Sequence, residues 1–153
     1  MPTRGGAPHP GVEVTGAPLG SLLLQVVRRH AALAHELLAR IGVTPPQELV
    51  LLYLEDHGPV QQSELVRFLG RDRSTVSVTL GAMERAGLIT RSPSETHRRA
   101  MLVRLTGTGR DLCPRIRQAW AELEDRAFGG LTTERRAELA AGLATVRDAL
   151  DRK

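Results

Sequence analysis

Glycine punctuates this chain at helix-length intervals, and most runs between the glycines carry helical periodicity. Gly42, Gly58-Pro59, Gly70, Gly87 and Gly129-Gly130 are the breaks. Glycine adopts the left-handed backbone that stops a helix, and proline cannot continue one. Before Gly42 a leucine- and alanine-rich helix is expected from Leu19 to about Ile41, with Leu23, Val27, Ala31, Ala34 and Leu38 on one stripe. Thr44-Pro45-Pro46-Gln47 opens a second helix, with Thr44 as cap, Pro45 where a missing N–H matters least, and Gln47 closing a capping box. Val50 and Leu54, with Leu49 and Tyr53, form its expected buried stripe. A short third helix from about Ser63 to Leu69 turns Leu65, Val66 and Leu69 inward. Asp72 caps a fourth that ends at Gly87.

Only then does the period change. Leu88–Arg91 and Met101–Leu105 read as two strands joined through Pro93, Ser94, Glu95 and Thr96, with Met101, Val103 and Leu105 alternating against Leu102 and Arg104. Thr106 and Thr108 are candidate caps for a long fifth helix carrying Leu112, Ile116, Trp120, Leu123 and Ala127. A sixth, from about Thr133 to Leu150, is expected to bury Leu139, Leu143, Val146 and Leu150. The fold class is mainly α with a small β-hairpin. Aromatic residues are 3% of the chain, so the core must be aliphatic. Residues 1–18, rich in proline and glycine, read as a flexible N-terminal arm.

Composition excludes several classes. No apolar run reaches the roughly 18 residues of a membrane span, and no basic-then-apolar leader opens the chain, so a cytoplasmic location without membrane contact is expected. The single cysteine, Cys113, rules out an internal disulfide framework and a CxxC zinc site.

Two short helices around a glycine turn, followed at once by a basic hairpin, make a winged helix-turn-helix. The net charge of +4 is concentrated there. Between Gln61 and Leu105, Arg67, Arg71, Arg73, Arg85, Arg91, Arg98, Arg99 and Arg104 stand against Glu64, Asp72, Glu84 and Glu95, leaving the rest of the chain neutral. Localised positive charge is the footprint of a nucleic-acid surface, although a solvated arginine-rich face gives the same count. On a helical wheel Val76, Leu80, Met83 and Gly87 of the fourth helix share the packing side. Ser74, Val78, Gly81 and Arg85 lie opposite, flanked by Thr75 and Ser77. Small hydroxyls and a valine methyl suit base edges in a major groove. Helix N-terminal amides with Arg71 or Arg73 suit phosphates. The candidate DNA contacts on the helix are therefore Arg71, Arg73, Ser74, Thr75, Ser77 and Val78. The competing class is a winged-helix protein–protein adaptor without DNA, which would display large apolar anchors instead.

Gly70-Arg71-Asp72-Arg73-Ser74-Thr75-Val76-Ser77, then Leu80, Met83-Glu84, Gly87-Leu88-Ile89, Arg99 and Val103-Arg104-Leu105-Thr106 resemble the MarR family of multiple-antibiotic-resistance-type regulators, over roughly residues 19–150. The family's wing pattern Asp-x-Arg-x5-Leu-Thr keeps its arginine at Arg99 and has His97 for the aspartate; an arginine frequent in family recognition helices is replaced by Val78. The resemblance implies a homodimer in which the first, fifth and sixth helices interlock. Residues 19–44 and 107–153 would form the helical dimerisation region, and 45–106 the DNA-binding winged domain. It implies a ligand-responsive repressor on a pseudo-palindromic operator of double-stranded DNA, with half-site centres about 10 bp apart. It also makes His97, Arg98 and Arg99 the wing's DNA contacts, Arg99 and with it Arg98 entering the minor groove. A small-molecule effector would sit in the crevice between the dimer helices and the winged domain, at positions the sequence leaves unknown.

Other constellations are weaker. His97 could add charge at the wing below a pKa near 6.5, but exposed loop histidines are ordinarily just solvated. Cys113 invites an oxidant-sensor reading, against a structural thiol beside the Leu112 stripe. His30 and His35 with Glu36 invite a metal reading, yet five residues place the two imidazoles roughly 140° apart on a helix. No catalytic arrangement or phosphate loop stands out, Gly107-Thr108-Gly109 being too short, so neither an enzyme nor a cofactor is expected.

Overall fold

The computed structural model describes residues 11–97 and 99–152. The elements run α1 (Pro18–Ala39), α2 (Pro45–His57), β1 (Val60–Gln61), α3 (Gln62–Leu69), α4 (Arg73–Arg85), β2 (Ile89–Pro93), β3 (Met101–Leu105), α5 (Gly107–Phe128) and α6 (Thr133–Leu150). The architecture is mainly helical with a small antiparallel sheet in the order β1-β3-β2.

The glycine breaks fall where the sequence puts them, and Gly42, Gly58, Gly70 and Gly87 all have positive φ. At the end of α4 the Leu88 N–H donates to the Met83 carbonyl and the Gly87 N–H to that of Glu84, the paired bonds of a Schellman stop. The helix proper ends at Arg85, so Gly87 lies beyond it and is exposed instead of packing with Val76, Leu80 and Met83. At the start of α2, Pro45 begins the helix and the Gln47 side chain accepts from the Thr44 N–H at 3.2 Å.

The β1 strand was not expected. Val60 pairs with Val103 and Gln61 with Leu102, so the hairpin is anchored along one edge, while Pro93 pairs with Met101 near its far end. The core is aliphatic: Leu38, Val50, Leu51, Leu54, Leu65, Val76, Leu80, Met83, Ile89, Val103 and Ile116 are buried, with Cys113 among them. On α2 the inward positions are Val50, Leu51 and Leu54, whereas Leu49 is exposed and Tyr53 half-buried. Tyr53 instead stacks between His57 and Phe68 and donates to Glu64 at 2.5 Å.

The long helices depart most from expectation. Leu38 is buried, but Leu23 and Val27 of the same α1 stripe are exposed. Trp120 is partly exposed on α5. Leu139, Leu143, Val146 and Leu150 are all exposed, Leu150 at 77%, and α6 buries none of its residues. A stripe that periodicity marks for burial finds nothing among the described residues to cover it. The expected flexible arm also divides. Residues 1–10 lie outside the described residues, while 11–17 are tied to α1, where Ser21 accepts from the Val14 N–H at 2.8 Å and Gln25 donates to the Val12 carbonyl at 3.1 Å.

The winged unit meets the start of α5 at a crowded point. Thr106 caps α5 by accepting from the Gly109 N–H at 3.0 Å, its hydroxyl donates to the Gly87 carbonyl at 2.6 Å, and its N–H donates to the Leu88 carbonyl at 3.1 Å. A Cβ on Gly109 would stand 2.2 Å from the Leu88 oxygen, which is backbone and cannot step aside. Gly109→Ala should therefore lower stability by about 3 kcal/mol, as overpacking against rigid structure does, and thermal melting checks this. An unchanged melting temperature would mean that α5 is free to shift away from Leu88.

Candidate nucleic-acid interface

Helix α4 is held by its first and last turns. The Asp72 carboxylate accepts from the Thr75 N–H at 2.8 Å and from the Thr75 hydroxyl at 2.7 Å. These bonds, the backbone one foremost, hold the Asp72 carboxyl below its ordinary range. Val76, Leu80 and Met83 turn into the core. Arg71, Arg73, Ser74, Thr75, Ser77 and Val78 are all exposed. Val78 is 72% exposed, which fits a helix face built to lie against something else. Thr75 is a different case, because its proton is directed at Asp72 and only its lone pairs remain for another partner. Gly81 departs from the wheel. It is buried, and a Cβ there would meet the guanidinium groups of Arg85 at 3.4 Å and Arg91 at 3.5 Å, so two long side chains cover the position expected to face outward.

An open groove of about 880 Å³ runs between α4 and the hairpin. Arg73, Ser74 and Ser77 line it from the helix, and His97, Arg99, Ala100 and Met101 from the hairpin. Structure thus brings together the two halves of the predicted site, which are separated by the whole length of β2 in sequence. Arg71, Thr75 and Val78 are exposed nearby but do not line the groove, and Arg98 lies outside the described residues. The hairpin tip is ordered by short-range bonds: the Ser94 N–H donates to the Ala100 carbonyl at 2.7 Å, the Ala100 N–H to that of His97 at 3.0 Å, and the Thr96 hydroxyl lies 3.1 Å from His97 Nδ1.

Sequence reasoning missed the groove's third side, where Gln61, Gln62 and Ser63 stand at the start of α3. The Gln62 side-chain oxygen is buried without a partner among the described residues. Polar residues at a helix start are a phosphate-facing signal, but here they read as ordinary capping chemistry before the first helix of the turn.

The remaining candidates have other occupations. Cys113 is fully buried, with its thiol directed at the Leu51 and Gly109 carbonyls, and burial pushes its pKa up, the reverse of a reactive thiolate. The His30 ring lies 6.0 Å from that of Trp120, and Glu36 pairs with Arg40 at 2.6 Å. No helix among the described residues is long and apolar enough to cross a membrane.

Residues 41–100, which hold α2 through most of the hairpin, match the profile of the MarR family. The transcriptional repressor NicR of Pseudomonas putida is 27% identical over 118 residues, covering 77% of this chain and 75% of that protein. The fold superposes on a variant of E. coli MarR in complex with operator DNA with a TM-score of 0.76 at 27% identity, covering 84% of this chain and 93% of that one. It superposes on BpsR of Bordetella bronchiseptica, whose DNA binding is regulated by 6-hydroxynicotinic acid, with a TM-score of 0.78 at 26% identity, covering 94% and 100%. The chain belongs to the MarR family. Its winged helix-turn-helix is that of the MarR transcriptional regulators, with β1 completing the wing's sheet and His97 and Val78 as this chain's own departures from the pattern.

Asp72 makes the site's order depend on pH. Its folded-state pKa is depressed, so its contribution is present above the unfolded value near 3.9 and is lost as pH falls through the lower folded value. Between about pH 6 and about pH 2.5 the protein should lose more thermal stability than an Asp72→Asn variant does. Parallel melting curves for the two would remove Asp72 as the source.

Proposed function

We propose that this MarR-family chain is a homodimeric, ligand-responsive transcriptional repressor that grips a pseudo-palindromic operator with α4 and the hairpin of each subunit. The observation that carries this reading is the groove itself, whose helix wall offers Arg73, Ser74 and Ser77 and whose hairpin wall offers Arg99 and His97. Small hydroxyls let a helix approach base edges closely, with Ser74 and Ser77 donating or accepting and Val78 available to a thymine methyl. Arg71 and Arg73 take phosphates beside the α4 N-terminus, and Arg99 takes the minor groove, where narrow A·T tracts concentrate negative potential. Duplex DNA as partner is supported by the operator complex of E. coli MarR, and repression by the name of NicR. A small-molecule effector is supported by BpsR, and it must favour one spacing of the two recognition helices over another, since equal affinity for both shifts nothing. The work belongs in the cytoplasm, and no catalytic step or cofactor is assigned to it. An adaptor would present large apolar anchors, and the α4 wall of the groove presents none.

The second subunit is supported by uncovered apolar surface. Leu139, Leu143, Val146 and Leu150 line α6, and Leu19, Leu22, Leu23, Val26 and Val27 are exposed on the first half of α1. Covering a leucine side chain stabilises by roughly 1.5–3 kcal/mol, so two copies interlocking these faces would associate strongly. In this reading residues 19–44 and 107–153 dimerise and 45–106 bind DNA.

Selection from a random duplex library at two salt concentrations should enrich a pseudo-palindrome whose affinity falls steeply with salt. On that site Arg99→Ala should weaken binding by about tenfold or more, corresponding to roughly 1–3 kcal/mol. No enriched sequence from an intact dimer would return the adaptor reading. Leu143→Arg should yield a sedimenting monomer with greatly reduced operator affinity; a dimer of unchanged strength would show that α6 is not the interface.

A further inference from the structure

Arg91 belongs to the positive charge concentrated between Gln61 and Leu105, yet the structure withdraws it from the groove. Its side chain is 19% exposed and turned toward α4. One terminal nitrogen lies 3.4 Å from Glu84 Oε1, and the Arg91 backbone N–H donates to Glu84 Oε2 at 3.0 Å. The same guanidinium nitrogen stands 3.5 Å from where a Cβ of Gly81 would be, so the side chain crosses the buried flank of the helix. Its Nε is buried without a partner among the described residues. A single carboxylate on the last turn of α4 therefore holds both the main chain and the side chain of the middle residue of β2. Arg91 is paired with Val103 in the sheet, and Val103 with Val60 on the other side, so this grip falls where the hairpin is still anchored. Beyond it, on the free part of the hairpin, lie His97 and Arg99.

We infer that the Glu84–Arg91 contact is a positioning brace that sets the separation between the recognition helix and the wing tip, so that Arg99 reaches DNA at the same time as Ser74 and Ser77. This rests on the DNA-binding reading above. The brace explains why a carboxylate stands at the C-terminal end of α4, where a helix dipole disfavours it and phosphates would repel it. Glu84 weakens electrostatic attraction to DNA and is useful only through Arg91.

That conflict gives the test its sign. Glu84→Met removes a negative charge near the DNA-facing surface, so charge alone predicts tighter binding. The brace predicts weaker binding, by about fivefold or more, at full helical content. Arg99→Ala should then add little further loss in the Glu84→Met background, while Ser77→Ala should cost the same factor in both. Arg91→Met, tested as a second variant, should behave like Glu84→Met. In the Arg99→Ala background it should leave the salt dependence unchanged, whereas an Arg91 that touched phosphate would still reduce that slope by about one. Tighter binding by Glu84→Met, or an Arg99→Ala loss that is the same in both backgrounds, overturns the brace. A parent protein that binds no duplex overturns the DNA reading instead, and the brace is then judged without DNA. Spin labels at Ser77→Cys and Thr96→Cys, in a Cys113→Ala background, should give a narrow distance distribution that Glu84→Met broadens; an unbroadened one refutes it.

Discussion

The carbonyl oxygen of Leu88 is the point to which the rest of the winged unit is referred. The residue's own N–H closes the Schellman stop on α4 through Met83, its oxygen accepts from Thr106, and Gly109 is side-chain-free because that oxygen occupies the space. Thr106 adds a bond to the neighbouring Gly87 carbonyl and caps α5. The end of the recognition helix, the base of the wing and the start of the long helix thus share one network of backbone groups. Such groups, once removed from water, must be paired, so no member can move alone without leaving a donor or acceptor unsatisfied. The knot transmits the orientation of α5 to both walls of the groove.

A second set of contacts fixes α2 on α5. Trp120 donates to Glu48 at 2.8 Å, and burial raises the Glu48 carboxyl pKa while the indole bond opposes that shift. Arg117 spans Glu55 and Asp56 at 2.7 and 3.0 Å. The two sets differ in kind. The Arg117 ion pairs are exposed and yield to salt, whereas the Leu88 network is short-range hydrogen bonding among backbone groups and the Thr106 hydroxyl. Beneath both sets, Leu51 and Leu54 of α2 share one buried core with Cys113 and Ile116 of α5, so the seat on the long helix rests on apolar packing more than on these ion pairs.

What was legible in the sequence was local. Positive φ at Gly42, Gly58, Gly70 and Gly87 follows from the chemistry of one residue, and the Asp72 cap from a bond spanning three. What was not legible depended on partners distant in the chain. The two-residue β1 has no periodicity of its own and exists because Val60 and Gln61 meet β3. Leu51 is chosen over Leu49 because α2 is packed by more than one neighbour, which a single-stripe wheel cannot represent. Gly81 looked outward on the wheel because a wheel carries no arginine side chains to fold across it. The site divided the same way: exposed polar residues on α4 were readable, while Gln61, Gln62 and Ser63 joined the groove only when α3 was placed beside α4.

The sixth helix shows how far a single chain can be a complete structure. It has 18 residues and buries none of them, and helices of this length draw most of their stability from packing of an apolar face and little from propensity. Its Leu139, Leu143, Val146 and Leu150 stripe has the spacing of a packed face and lacks the packing. The first half of α1 has the same deficit, interrupted where Ser21 and Gln25 hold Val14 and Val12. Two deficient faces on one chain are resolved together when a second copy supplies each with the other or with its like. Because α5 continues from that region into the Leu88 knot, covering α6 also orders the base on which the groove stands. Dimerisation and groove geometry are then linked: whatever stabilises one favours the other by the same free energy, and a subunit without its partner is short of both.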